Sequence, residues 1–478
     1  MDNKDFLSAI VSTIYLIICL ICPSVVVYFV WSAIYICCLW LVNRSWEKVI
    51  FFGFWPIQLF NVGQLYVFQL IKPEELNHPL YPNGQNFYFK FTPYLALCVA
   101  ILVTWVVKVF GRKVKSNLII ILLWLIVGAG VYSTVGRESA IPVWIRALGI
   151  VDSFGLIVWL WWFYNYYLSI DERQKQSLWR YFGWIVKVVL LIGSVMIISQ
   201  GLLGRTLGSV VEQTRILPFF GAGSDEEAWF IRPIGYYGNS NGMAHLIFLQ
   251  LVALFLVELK VNRKKSVMRP WLLMPILALF WLQSRTVILG LVVMGWWWWI
   301  QEGAMINWSK IKIKSRWVML GLVIVTIMAT TVVSVRLWDT VLNTGKNSGV
   351  YTRKNLVMVA ENLIKKNPWW GVGSNNFVSS AFRNDLTGVF KYFPEPVHNG
   401  FLLIWSERGL VGLSLWLLFI WRIICLVNKN LPKKNYLLIN CFLATEMLMM
   451  MFQPFMELIN LPMVLVMLLL ADVEFKEL

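Results

Sequence analysis

At 478 residues, with 59% hydrophobic and only 14% charged residues, the chain departs from soluble globular proteins, whose charged fraction is about 25%. Its formal charge of +17 does not point to nucleic acid, because Lys and Arg gather in short segments between long apolar runs, as they do in cytosolic loops of membrane proteins. Cys19, Cys22, Cys37, Cys38, Cys98, Cys425 and Cys441 lie in or at the ends of those runs without metal-ligand spacing, and read as small packing residues.

The runs are about 17–25 residues long, enough to cross a bilayer core. The first, 7–21, lacks a small-residue cleavage site and leads straight into 24–42, so it reads as an anchor. Arg44 and Lys48 place the following loop in the cytosol with the N-terminus. A span at 49–71 leads to an external segment at 72–90, and 91–110 returns to Arg112, Lys113 and Lys115. Spans 117–135 and 143–168 follow, the latter ending in an aromatic belt from Trp159 to Tyr167. Span 181–203 exits to a first large external loop, 204–238, and 239–259 re-enters to meet Lys260, Arg263, Lys264, Lys265 and Arg269. Short spans 271–283 and 287–300 turn at Ser284-Arg285-Thr286, and 317–335 leads to a second large external loop, 337–399. Spans 401–424, 436–452 and 458–470 bring the C-terminus to the cytosol. Basic loops alternate sides throughout. The expected fold is all-α, a polytopic integral membrane helical bundle of about 12–14 transmembrane helices. Residues 1–478 are expected to form one membrane domain with those two large external loops.

No G-x-x-x-x-G-K-[ST], D-x-D or H-E-x-x-H occurs, so neither ATPase chemistry nor a metal or cofactor site is expected. The outer segments carry Arg205, Arg215, Arg232, Arg285 and Arg353. Guanidinium groups hold phosphate oxygens through paired hydrogen bonds, so together they suit an anionic ligand such as a diphosphate. Taken singly, each reads more readily as an interfacial anchor or as an ion-pair partner of Asp225, Glu226 or Glu227 than as a ligand group. Arg285, at a tight turn between short spans, is the one for which function is favoured. His398, where the polar loop meets an apolar run, is either a titratable catalytic imidazole or a half-buried ring bonded to a loop carbonyl. His245 reads as packing and His78 as solvated. Asp152 is either functional or part of a structural pair within the bundle. Glu407 and Arg408 are expected at the lipid surface.

Four motifs then carry a resemblance. They are R-P-I-G-Y-Y-G-N-S-N-G-M-A (232–244), Q-S-R-T (283–286), N-P-W-W-G-V-G-S-N-N-F (367–377) preceded by Arg353, and H-N-G-F-L-L-I-W-S-E-R-G-L-V-G (398–412). In order and on one side of the membrane, they resemble the O-antigen ligase and polymerase superfamily over residues 232–412, with Ser240 where that family often has proline. The resemblance implies a metal-independent glycosyltransferase taking an oligosaccharide from undecaprenyl diphosphate on the outer face of the cytoplasmic (inner) membrane. It casts His398 as general base and Arg285 as a second catalytic residue. Arg232, Arg353 and Arg215 become donor-binding groups, with Asn239, Asn241 and Asn399 positioning loops or sugar hydroxyls. Gly371 and Gly373 would allow a tight turn presenting Trp369 and Trp370. Partners implied are the lipid-linked oligosaccharide, membrane lipids and candidate polysaccharide-assembly proteins. Polymerisation of surface polysaccharide repeat units is preferred to ligation onto a lipid or wall acceptor. A lipid-linked glycan flippase or transporter is the alternative from another class.

Overall fold

Backbone groups in hydrocarbon have no water to bond, so long apolar runs close their hydrogen bonds within helices. The computed structural model describes residues 3–22, 25–60, 65–69, 88–91, 97, 101, 118–135, 143–204, 207, 233, 235, 240–261, 273–282, 284, 287–292, 349–374, 376–384, 396–430 and 433–451. In chain order these give α1 (Asn3–Ile21), α2 (Val25–Asn43), α3 (Trp46–Phe60), β1 (Leu65–Gln69), β2 (Tyr88–Phe91), α4 (Leu118–Val135), α5 (Val143–Ser169) and α6 (Glu172–Leu203). There follow α7 (Ser240–Val261), α8 (Leu273–Leu282), α9 (Gly349–Lys366), α10 (Phe377–Asn384), α11 (Gly400–Asn430) and α12 (Lys433–Met450). Residues 287–292 form a further helical segment.

Among the described residues, α1, α2, α4, α6, α7 and α11 are each long and apolar enough to cross a membrane, and the protein is a polytopic helical membrane protein. Exposed apolar stripes fit this placement: Phe6, Leu7, Ile10, Ile14 and Ile17 line one face of α1, where only lipid would cover them. The expected spans 317–335 and 458–470 lie outside the described residues, as does His78.

Two span limits are corrected. The span expected at 49–71 ends at Phe60, and Leu65–Gln69 instead forms β1, antiparallel to β2 in the register Leu65↔Phe91 to Gln69↔Tyr88. L-Y-V-F-Q opposite Y-F-K-F is rich in the aromatic residues that favour strands. The span expected from 181 begins at Glu172, because Asp171 caps it. The Asp171 carboxylate accepts the Gln174 N–H at 2.7 Å, and the Gln174 side chain accepts the Asp171 N–H at 3.3 Å. Arg173, Lys175 and Arg180 therefore ride on this helix.

A backbone vacancy shapes the N-terminal bundle. Pro56 sits inside α3 and lacks the N–H that would bond the Phe52 carbonyl one turn earlier. Two buried phenols take that carbonyl: Tyr35 Oη donates to it at 2.9 Å and Tyr181 Oη at 2.6 Å. Ser12 Oγ lies between the phenols, 2.8 Å from Tyr35 and 2.6 Å from Tyr181. One proline thus ties α1, α2, α3 and α6 together. At one end of these helices buried Asp5 meets Lys48 at 3.3 Å and accepts from Ser177, joining ends that charge alternation assigns to one face.

Replacing Tyr35 and Tyr181 together by Phe should strand the Phe52 carbonyl and cost about 1–3 kcal/mol, each single change costing less. Adding Pro56→Ala restores an N–H there and should recover part of the loss. Thermal unfolding in detergent measures both effects; a double variant that melts with the wild type would refute the account.

Candidate active site

The long span α11 is broken near its N-terminal end. Gly409 in α11 has φ 67° and ψ −173°, so the helix runs to Arg408 and restarts at Leu410. A continuous helix would pair Leu410 N–H with the Ser406 carbonyl and Val411 N–H with that of Glu407. Here the turn 368–373 takes all four groups. Leu410 N–H donates to Pro368 at 2.8 Å and Val411 N–H to Trp369 at 3.2 Å, while Val372 N–H donates to Ser406 and Gly373 N–H to Glu407, each at 2.8 Å. A Cβ at residue 409 would stand 2.0 Å from the Trp369 carbonyl oxygen, and one at residue 371 would stand 2.3 Å from the Glu407 carbonyl carbon. Gly371 (φ 67°) and Gly373 (φ 105°) also take the left-handed conformations expected of that tight turn.

The break carries two charged side chains inward. Glu407 and Arg408 are 4% and 5% exposed, which overturns their expected lipid-surface position. The Glu407 carboxylate accepts the Phe377 N–H at 3.2 Å and so caps α10. Arg408 Nε donates to Ser374 Oγ at 3.0 Å, and Ser374 N–H donates to Thr134 Oγ1 of α4 at 3.2 Å. Gly130 of α4 admits this approach, since a Cβ there would stand 2.7 Å from Ser374 Oγ. Trp370 packs on Tyr132 with ring centroids 4.3 Å apart, whereas Trp369 is 61% exposed.

The polar segment before α11 has its own small core. Leu356, Val359, Ala360 and Leu363 of α9 meet Phe377 and Ala381 of α10, with Val397 and Leu403 beside them. This core brings Arg353 near His398 at the head of α11. The half-buried imidazole titrates at about 4, down from 6.5, first because burial disfavours its charged form and next because Arg353 opposes it. The Pro396 carbonyl partly opposes that shift. It lies 3.2 Å from Nδ1 and can only accept, so the neutral ring keeps its proton on Nδ1 and its lone pair on Nε2. Asn399 is the N-cap of α11: its side-chain oxygen accepts the Leu402 N–H at 3.0 Å.

The earlier motifs lie at the ends of other helices. Gly235 N–H donates to Gln200 of α6 at 2.9 Å, and Ser240 Oγ donates to the Pro233 carbonyl at 2.6 Å, a bond proline could not make. Ser284 of the Q-S-R-T turn opens the helical segment 287–292, accepting Ile288 N–H at 3.0 Å. Asn241 lies half-buried in the first turn of α7. One turn deeper on the same face, His245 Nε2 is 3.0 Å from both carboxylate oxygens of Glu446 on α12. Gly290 packs beside them, its would-be Cβ 2.7 Å from Thr445. This buried pair was missed, although an acidic residue within A-T-E-M-L-M-M is itself a signal of an intramembrane site. Arg285, Arg232, Arg215 and Asn239 lie outside the described residues, as does the Asp152 side chain. Among the described residues no three His, Cys, Asp or Glu side chains gather where a metal could be held.

Spanning helices with a folded polar segment locked into one of them, and a histidine at the junction, define a multi-pass membrane protein with a candidate site where that segment meets a span. Residues 271–417 match the family model described as O-antigen ligase, which supports placement in the O-antigen ligase and polymerase superfamily. The match supports a ligase- or polymerase-type function in processing membrane glycans. No curated protein matches the chain. The matched stretch contains Arg285, Arg353, His398 and Asn399, and ends within α11.

Gly409→Ala combines a positive φ with a blocked approach, and should destabilise the protein by more than about 2 kcal/mol. Gly128→Ala is the control, since a Cβ there meets nothing within 4 Å. It should be neutral or mildly stabilising. Equal detergent melting temperatures for the two variants would contradict this account of the break.

Proposed function

We propose that the protein is a metal-independent glycosyltransferase acting at the outer face of the cytoplasmic membrane. It takes an oligosaccharide from undecaprenyl diphosphate and polymerises surface polysaccharide repeat units. The observation that carries this reading is the neutral imidazole of His398, with its proton on Nδ1 and an arginine nearby, inside the family-matched stretch.

In the proposed reaction the acceptor hydroxyl oxygen attacks the anomeric carbon of the donor, whose bond to the diphosphate oxygen breaks. The hydroxyl proton passes to Nε2 of His398, and undecaprenyl diphosphate leaves with the bonding electron pair. Arg353 and Arg285, with Arg232 and Arg215, hold the diphosphate and stabilise the charge that grows on it. Asn239 and Asn241 orient the donor sugars. Asn399 acts on the base through the helix cap. Ligation to a lipid or wall acceptor would use the same donor machinery and differ only in what supplies the hydroxyl.

A ring titrating at about 4 is neutral at neutral pH. kcat/KM should therefore hold as pH falls from 7 to 5 and be lost only through about 4, because it reports the free enzyme. A bound diphosphate offsets Arg353 and favours the imidazolium, so the acid limb of kcat should lie above that of kcat/KM. Purified protein with lipid-linked oligosaccharide in detergent, without any gradient, should extend chains and release undecaprenyl diphosphate. His398→Ala and Arg285→Ala should each lower turnover by at least about 100-fold while the protein stays folded. Normal product from both variants would sink the assigned roles. Product appearing only across a sealed, energised membrane would favour transport instead.

A further inference from the structure

Glu407 and Arg408 are buried side by side at the one point where α11 is broken, and neither has a part in the reaction set out above. Each reaches a different part of the second external loop. Glu407 caps α10 at Phe377, and Arg408 holds Ser374 at the exit of the tight turn, which Thr134 fixes from α4. The same turn leaves α9 without slack: Asn367 N–H bonds the Leu363 carbonyl at 3.0 Å and Gly371 N–H bonds that of Asn367 at 3.1 Å. Helix α9 carries Arg353, and His398 stands at the head of the α11 segment that ends in Glu407 and Arg408. The fastening and the two functional candidates thus sit at opposite ends of the same two helices.

We propose that Glu407 and Arg408 are positioning residues, which hold the 368–377 turn, and through it the Arg353-bearing helix α9, in register with His398. Backbone bonds alone would anchor the turn to the break. The two side chains add its orientation, because they grip it at Ser374 and Phe377, beyond the last backbone bond at Gly373. Burial makes the grip stiff, since releasing either ion strands a charge in a medium of low dielectric. Arg353 is the charged group whose field acts on the imidazole among the described residues.

The inference rests on the transferase reading only in its kinetic arm, and a second arm is independent of catalysis. Diethyl pyrocarbonate acylates neutral imidazole, and mass spectrometry of the His398 peptide gives its rate on the full-length protein in detergent. Between pH 7.5 and 5.5 the wild-type rate should fall by less than about twofold, whereas an unperturbed ring near 6.5 would lose about tenfold. In Glu407→Ala and Ser374→Ala the fall should reach about threefold or more, as α9 shifts and water reaches the ring. Glu407→Gln keeps an acceptor for Phe377 N–H and should behave as wild type. In the kinetic arm, kcat/KM should drop at least about tenfold in Glu407→Ala and stay within about threefold in Glu407→Gln. Should Glu407→Ala elute as aggregate, Ser374→Ala, which deletes one hydroxyl, decides the matter. An unchanged modification profile in every folded Ala variant overturns the proposal. Full activity of His398→Ala with an altered profile would instead remove the base assignment and leave the positioning role standing.

Discussion

The structure depends most on the exchange of hydrogen bonds at Gly409. A helix cannot break near hydrocarbon and leave its backbone groups unpaired, since each unsatisfied group there costs several kcal/mol. The break at Gly409 releases two donors and two acceptors, and the 368–373 turn supplies partners for all four. Each side therefore requires the other: without the turn the span would straighten, and without the break the turn would have no docking edge. A polar segment with little apolar surface of its own is fixed in this way to a membrane helix. Its small core of α9 and α10 residues then needs to set only local geometry.

The N-terminal bundle answers the same constraint by different means. There Pro56 opens a single acceptor, and two phenols close it from neighbouring helices. The break at Gly409 opens four groups and closes them with backbone, then adds a buried carboxylate and guanidinium. Phenols are neutral and tolerate burial, so the first solution carries no charge into the core. A buried ion adds little net stability but holds its hydrogen-bond partner in place, since losing that partner strands a charge. Their use at the far end of the helical segment that His398 heads suits a place where orientation matters more than net stability.

Hydropathy made most helices legible, because length and charge alternation are one-dimensional properties. It failed at 65–69, where apolar composition alone could not tell a helix from the strand Leu65–Gln69. The H-N-G stretch marked His398 as a junction residue, and the structure shows one of its two sequence readings, a ring bonded to a loop carbonyl, with the imidazole held neutral by burial and by Arg353. Glu407 and Arg408 were misread because charges at the start of an apolar run look like headgroup anchors. The clue was the adjacent Gly409, which marks a break only once Trp369 is known to lie against it. The pairing of His245 with Glu446, far apart in sequence, has no one-dimensional signature.

In the proposed reaction an arginine near the general base works at first sight against catalysis, because the cation lowers the proton affinity the base needs. The conflict disappears if the ligand is the proposed dianionic diphosphate. Burial first, and then the arginine, keep the imidazole neutral. In the proposed reaction the donor's charge offsets that of the arginine, and the proton affinity of the ring rises just when an acceptor hydroxyl must be deprotonated. On that reading base strength follows donor occupancy without a conformational change. The arrangement requires a fixed distance between α9 and the head of α11, since Coulomb energy at low dielectric changes steeply over a few ångströms. That requirement gives a physical reason for the locked turn, the broken helix and the two buried ions to occur together at this junction.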